Sequence, residues 1–173
     1  IKANTRNIQQ LCGSSPSPAC HPRIRSAEAC FRSSSKAVNL AHKYRTRLHV
    51  LHLSTAREME LFEGDKPLAD KYITAEACIH HLWFSDADYE RLGNHIKWNP
   101  AVKSLQDRQA LREAVKSGKI DVIATDHAPH TQEEKSRGYP NAPSGGPMVQ
   151  HSLTAMLELA RENVFTLPEI VRK

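Results

Sequence analysis

The chain has 173 residues, 39% of them hydrophobic and 25% charged, with a formal charge of +5. That length supports one domain with a real core, and no apolar run approaches the ~18–20 residues that a membrane span needs. Basic residues are mixed with acids throughout rather than gathered with aromatics into a stripe, so neither nucleic acid nor a membrane is the expected partner. A solvated surface with a mild bias toward anionic small substrates is.

The first 25 residues read as an irregular leading segment, with "CGSSPSPACHP" as a Ser/Pro loop. Ser26 then caps a helix that runs to about Tyr44, with Glu28 in its first turn. "RLHVLHLS", 47–54, is a strand whose near-continuous apolar residues suit cover on both faces. A short helix over 55–64 closes at Gly64. "KYITAEACIHHLWF", 71–84, holds the next strand, with His80 and His81 at its end. "SDADYERLG" is a helix that Gly93 ends. Ser104 caps another helix that reaches about Ser117, and Gly118 stops it. "IDVIATD" is the third strand. A Pro- and Gly-rich loop covers 127–147, its stretch from 131 on expected to be mobile and loosely packed, with Lys135 and Arg137 solvated. A helix over about 148–162 follows, and "TLPE", 166–169, is a capping box that starts one more.

Helices alternating with short apolar strands predict an α/β fold with parallel strands. Three parallel strands leave open edges and need cover. The chain also opens on Ile1 and stops at "LPEIVRK", which reads as the start of a helix, and no secretory leader is expected. The expectation is a fragment of a longer protein, the later part of a (β/α)8 barrel, which places its chemistry at the C-terminal ends of its strands. The cysteines, Cys12, Cys20, Cys30 and Cys78, match no CxxC pattern. Reduced thiols in a cytoplasmic protein are expected, with Cys30 and Cys78 as small core residues. Cys20 beside His21 hints at a metal less strongly than it reads as a plain loop.

Two strand ends carry the chemistry. "HVLHLST" delivers His52, and "DVIATDHAPH" delivers Asp126, followed by His127 and His130. A histidine nitrogen and a carboxylate oxygen together suit Zn2+ or a similar divalent ion. An aspartate beside such an ion also takes and returns a proton. The plainer alternative is a hydrogen-bonded core histidine and an ion pair without metal, although leaving so many buried polar groups unpaired costs about 1–3 kcal/mol each. His80 and His81 are either ligands or supporting residues, and the supporting role is favoured, since neighbours on a strand point to opposite faces and cannot both enter one site. Asn99 in "WNP" either hydrogen-bonds a substrate carbonyl or ring nitrogen or forms an Asx turn. "APSGGP", 142–147, is either a loop of small residues whose N–H groups approach an anion or a flexible linker.

"HVLHLST", "HHLWF", "KWNPAVK", "DRQALREAVKSGKIDVIATDHAPHTQEEK" and "NAPSGGP" together resemble the dihydroorotases of the amidohydrolase superfamily, from about His21 to Lys173. The most specific stretch is "ATDHAPHTQEEK". The resemblance implies a partial (β/α)8 TIM barrel, about strands six to eight with their helices, so that residues 1–173 are the C-terminal part of one barrel domain and 127–147 its active-site loop. It implies a metal-dependent cyclic amide hydrolase that interconverts N-carbamoyl-L-aspartate and L-dihydroorotate in de novo pyrimidine biosynthesis, with two Zn2+ in a complete site, a small-molecule substrate and a homo-oligomer as a possible state. By this pattern His52 and Asp126 ligate metal, and Asp126 also passes the proton to the leaving ring nitrogen. Asn99, His130, Ser144 and Gly145 match substrate-binding positions, His130 toward the α-carboxylate. His127 drops to a supporting role, and His21 matches an "HP" before a helix rather than a ligand.

The departures matter as much. The family's HxH pair, the Arg after it, the bridging Lys or Asp of strand four and the histidine of strand five do not occur in these 173 residues. Its loop often reads Phe-Gly where Ser144 and Gly145 stand. The chain alone is therefore expected to bind zinc weakly and to catalyse poorly. An allantoinase or dihydropyrimidinase relative, or a non-catalytic dihydroorotase-like scaffold, are the alternatives.

Overall fold

The computed structural model describes residues 10, 12, 13, 15–64, 66–139 and 141–173. The expected irregular segment thus lies partly outside the described residues. Its latter end is helical rather than irregular: a 3-10 turn at Pro18–Cys20 leads into helix α1, His21–Ile24. His21 and Ile24 are buried there, so this end of the segment is held by packing.

Helix α2, Ala27–Tyr44, starts where its cap predicts, with the Ser26 side chain accepting from the Ala29 N–H. Three short strands follow in chain order: β1 at Leu48–Val50, β2 at Ile73–Cys78 and β3 at Val122–Ala124. They form one parallel sheet in the order β1-β2-β3, with Val50 opposite Ala75 and Cys78 opposite Ala124. The central strand is the most buried, with Ala75, Ala77 and Cys78 all at 0% exposure. Small residues there let the covering helices approach. Val38 of α2 joins the core, as do Leu111, Ala114 and Val115 of α5, Leu105–Lys116.

The segment 47–54 keeps less strand than expected. Only Leu48–Val50 is regular, and His49 and Leu51 are exposed, so one face of β1 lies open instead of covered. The expected helix over 55–64 is a 3-10 segment, Arg57–Leu61. After β2 the chain turns straight into helix α3, Ile79–Trp83. Residues 85–93 form a 3-10 turn, Asp86–Asp88, and then helix α4, Tyr89–Leu92, with Ser85 and Asp88 in a capping box. Ser104 and Asp107 make the same reciprocal cap on α5. Helix α6, Gln132–Lys135, interrupts the long loop; α7, Val149–Arg161, and α8, Leu167–Arg172, close the chain, the last capped by Thr166 and Glu169.

A buried ion pair ties the N-terminal ends of β2 and β3. Lys71 meets Asp121 at 2.7 Å, both almost without exposure. The second carboxylate oxygen of Asp121 accepts from the Ala75 N–H at 3.0 Å. Such satisfaction is what a buried charge pair requires, and it ties β2 to the start of β3. No helix among the described residues is long and apolar enough to cross a membrane.

Candidate active site

Because the strands are parallel, β1, β2 and β3 all end at one edge of the sheet. His52 and Asp126 stand at that edge, each two residues past its strand, with φ of 38° and 44°. Side chains with a Cβ rarely take this left-handed region, and the surroundings must hold them there. Glu76 of β2 does so for His52: its Oε1 accepts from the His52 N–H at 3.2 Å, and its main-chain carbonyl accepts from the Leu53 N–H at 2.9 Å. Its other carboxylate oxygen meets His49 at 3.1 Å. Beyond His52 the "HLST" turn closes on buried Glu58, which accepts from Ser34 Oγ at 2.5 Å, Thr55 Oγ1 at 2.9 Å and the Ser54 N–H at 3.3 Å.

His52 and Asn99 line one cavity of about 560 Å3, together with Arg25, His49, Glu58 and Pro100. Asn99 is exposed. Its neighbours are fixed: His21 Nε2 donates to the Trp98 carbonyl at 2.7 Å, and His81 Nε2 donates to the Pro100 carbonyl at 3.1 Å. The Asn99–Pro100 peptide is cis. Asp126, His130, Ser144 and Gly145 are not among the residues that line this cavity. Asp126 lies within electrostatic range of Cys78, and His52 within range of His80 and His81.

His130, Ser144 and Gly145 form a group of their own. His130 Nε2 donates to the Ser144 carbonyl at 3.1 Å, and its Nδ1 faces Glu134 at 3.6 Å. The Gly145 N–H donates to the Lys97 carbonyl at 2.9 Å, so it is spent inside the protein. Packing gives both glycines a reason that the sequence does not show. Gly145 has φ 130°, and a Cβ there would sit 2.5 Å from the Ala128 oxygen; at Gly146 a Cβ would sit 2.6 Å from the Trp98 ring. His127 turns outward and accepts from the Val149 N–H at 3.1 Å, at the start of α7.

The expectation of a loosely packed loop with a solvated Lys135 is overturned. Lys135 is buried at 6% exposure. Its ammonium donates to the carbonyls of Gly145 at 2.9 Å, Pro143 at 3.1 Å and Lys97 at 3.5 Å. Burial, then the nearby Lys97 charge, pushes its pKa down to about 8. The loop is thus closed around a cation from its own α6.

The expectation for His80 and His81 also changes. They sit on α3 rather than on a strand, so they do not point to opposite faces; their ring centroids are 4.2 Å apart. Both are buried, and burial, the main cause in each, lowers the pKa of both, that of His81 to about 3. Sequence reasoning missed Glu76, Glu58 and Lys135. A lone acid inside the apolar "ITAEAC" was the available signal for Glu76; nothing local marked Lys135.

In chemical terms His52 and Asp126 offer a borderline nitrogen and a hard oxygen, a donor set that fits zinc. Catalytic zinc takes three protein ligands plus water, so this pair is short of a complete set.

The chain's α/β fold is similar to that of solved hydantoinase and dihydroorotase structures. It superposes on the L-hydantoinase (dihydropyrimidinase) of Arthrobacter aurescens with a TM-score of 0.86 at 24% identity, over 99% of this chain and 38% of that one. The dihydroorotase of Saccharomyces cerevisiae, solved with 5-fluoroorotic acid, gives a TM-score of 0.71 at 19% identity, over 85% of this chain and 40% of that one. These likenesses show the shared α/β fold. Sequence is more specific: the chain is 33% identical over 170 residues to the dihydroorotase of Methanosarcina acetivorans, covering 95% of this chain and 36% of the relative. The chain is a homologue of the dihydroorotases and spans about a third of the length of the curated relatives it matches. No protein-family model matches it.

Proposed function

We propose that this chain supplies strands six to eight, with their helices, of a (β/α)8 dihydroorotase barrel, and that the whole protein interconverts N-carbamoyl-L-aspartate and L-dihydroorotate in pyrimidine synthesis in the cytoplasm. One observation carries the reading. His52 and Asp126, in "HLST" and "TDHAPH", occupy matched left-handed positions two residues beyond parallel strands, at one edge of the sheet.

Zn2+ held by His52 and Asp126, with ligands from the remainder of the protein, would supply Lewis acidity toward the ring amide carbonyl and lower the pKa of water. Asp126 takes the proton of the attacking water and delivers it to the ring nitrogen as the carbon–nitrogen bond breaks. In ring closure the same carboxylate takes a proton from the attacking carbamoyl nitrogen. Asn99 binds the ring amide. His130 turns an N–H to the substrate α-carboxylate, which competes with the Ser144 carbonyl for it. Ser144 and Gly145 form the wall behind that carboxylate. The 173 residues alone hold two ligands of this site and are expected to bind catalytic zinc weakly and turn over poorly.

The structural neighbours favour a second reading, hydrolysis of hydantoin or dihydropyrimidine rings, since the hydantoinase superposes with the higher TM-score. Turnover by the full-length protein separates the two. Activity on carbamoyl-aspartate and dihydroorotate supports the first; activity confined to allantoin, hydantoin or dihydrouracil overturns it.

A further inference from the structure

Behind the strand edge lies a cluster that the proposed reaction does not use. Cys78 Sγ and one ring nitrogen each of His80 and His81 all fall within 4.8 Å of one another. The three residues are at 0%, 0% and 2% exposure. Both nitrogens of His80 and Nδ1 of His81 are buried without a hydrogen-bond partner. Buried polar atoms are rarely left so, because each lost partner costs about 1–3 kcal/mol.

The tautomer of His81 is set by its surroundings. Its Nε2 donates to the Pro100 carbonyl, which leaves a lone pair on Nδ1, the arrangement that a ligating imidazole needs. His80 is clamped by the Trp98 ring, stacked at 4.3 Å and 7°. Trp98 is in turn pressed on by Gly146. Burial first, and then the nearby Asp126 and Glu76 carboxylates, hold the Cys78 thiol protonated, so its proton leaves only as an ion takes its place, and the same carboxylates would offset that buried cation.

We propose that Cys78, His80 and His81 form a second, buried zinc site, separate from the one that includes His52 and Asp126. One thiolate and two imidazoles are a donor set for zinc, and atoms this close need shifts of only roughly half an ångström to reach Zn–N of about 2.0–2.1 Å and Zn–S of about 2.3 Å. Binding releases the Cys78 proton to solvent. The ion would pin the β2–α3 turn against Trp98, and so the floor beneath Asn99.

The proposal does not depend on the reading of the active site, and Co2+ as the probe keeps the two apart. The site including His52 and Asp126 is assigned nitrogen and oxygen ligands; only the Cys78 site gives a thiolate-to-cobalt charge-transfer band. The full-length apoprotein should develop that band to one equivalent. Cys78→Ser should abolish it, and His81→Gln should weaken the cobalt affinity behind it at least tenfold. The double variant His52→Ala/Asp126→Ala should keep it. If Cys78→Ser does not fold, X-ray absorption on the zinc-loaded double variant should show one sulfur and two imidazoles. A wild type with no thiolate band, or a band that persists in Cys78→Ser, overturns this site and leaves the active-site reading standing.

Discussion

His52 and Asp126 hold the same place on two different strands: each is the second residue past the end of its strand, and each has a left-handed backbone, φ 38° and 44°. A strand cannot continue through that conformation, so both side chains are re-aimed at one edge. Such a residue costs about 1–3 kcal/mol relative to relaxed backbone, and it persists where neighbours over-determine it. Two at equivalent positions are hard to explain as packing. Asp126→Asn keeps the size of the side chain and removes its basicity. In the full-length protein it should cut turnover by about 10²–10⁴-fold with the fold retained by circular dichroism. A near-normal rate would remove Asp126 from the proton path.

Glu76 links the end of β1 to β2. It holds the His52 N–H and Leu53 N–H and pairs with His49. Groups that orient a metal ligand matter almost as much as the ligand itself. If His52 ligates zinc as proposed, Glu76→Ala in the full-length protein should weaken that zinc by about 10–100-fold in a chelator competition. Unchanged affinity would show that His52 is held without it.

The fold was legible where local chemistry decides it. Ser26, Ser104 and Thr166 announce their helices because each side chain accepts from the backbone N–H three residues on, and apolar runs with helices between them announce parallel strands. His52 and Asp126 were legible because a polar group at the end of such a run has few other uses. The switch from strand to helix at Ile79 was not. "EACIHHLW" has no glycine, proline or capping side chain, and the Cys78 side chain makes no cap bond. What ends the strand is tertiary packing of Ile79 and Leu82 in the core. Lys135 was illegible for the same reason, since one of its partners, the Lys97 carbonyl, lies 38 residues away.

That cation makes its own prediction. Lys135→Met removes the ammonium and leaves the carbonyls of Pro143 and Gly145 without their donor. The buried charge is costly in itself, so the net loss should be about 1–3 kcal/mol, read from urea unfolding. Amide exchange at Gly145 and Gly146 should speed up more than at β2. Equal protection in variant and wild type would mean that the loop does not need its cation.

His21 gives a pH dependence whose sign follows from its bonds. Nε2 donates to the Trp98 carbonyl, so Nδ1 must accept from the Tyr139 hydroxyl, at 3.0 Å. The ring is neutral, and burial, partly opposed by that carbonyl and reinforced by Lys97, Arg25 and Lys103, brings its pKa down to about 4. An unfolded histidine takes its proton near 6.5. Between the two values the unfolded chain binds more protons than the folded one, so stability is full above pH 6.5 and falls as the pH drops toward 4. The loss from this residue approaches about 3 kcal/mol at the acid end. His21→Gln should be less stable than wild type at pH 7 by about 1–2 kcal/mol, because it loses a buried hydrogen bond. It carries no ring to protonate, so the gap should close or reverse by pH 4. A gap that stays constant from pH 7 to pH 4 would show that His21 does not gain its proton on unfolding.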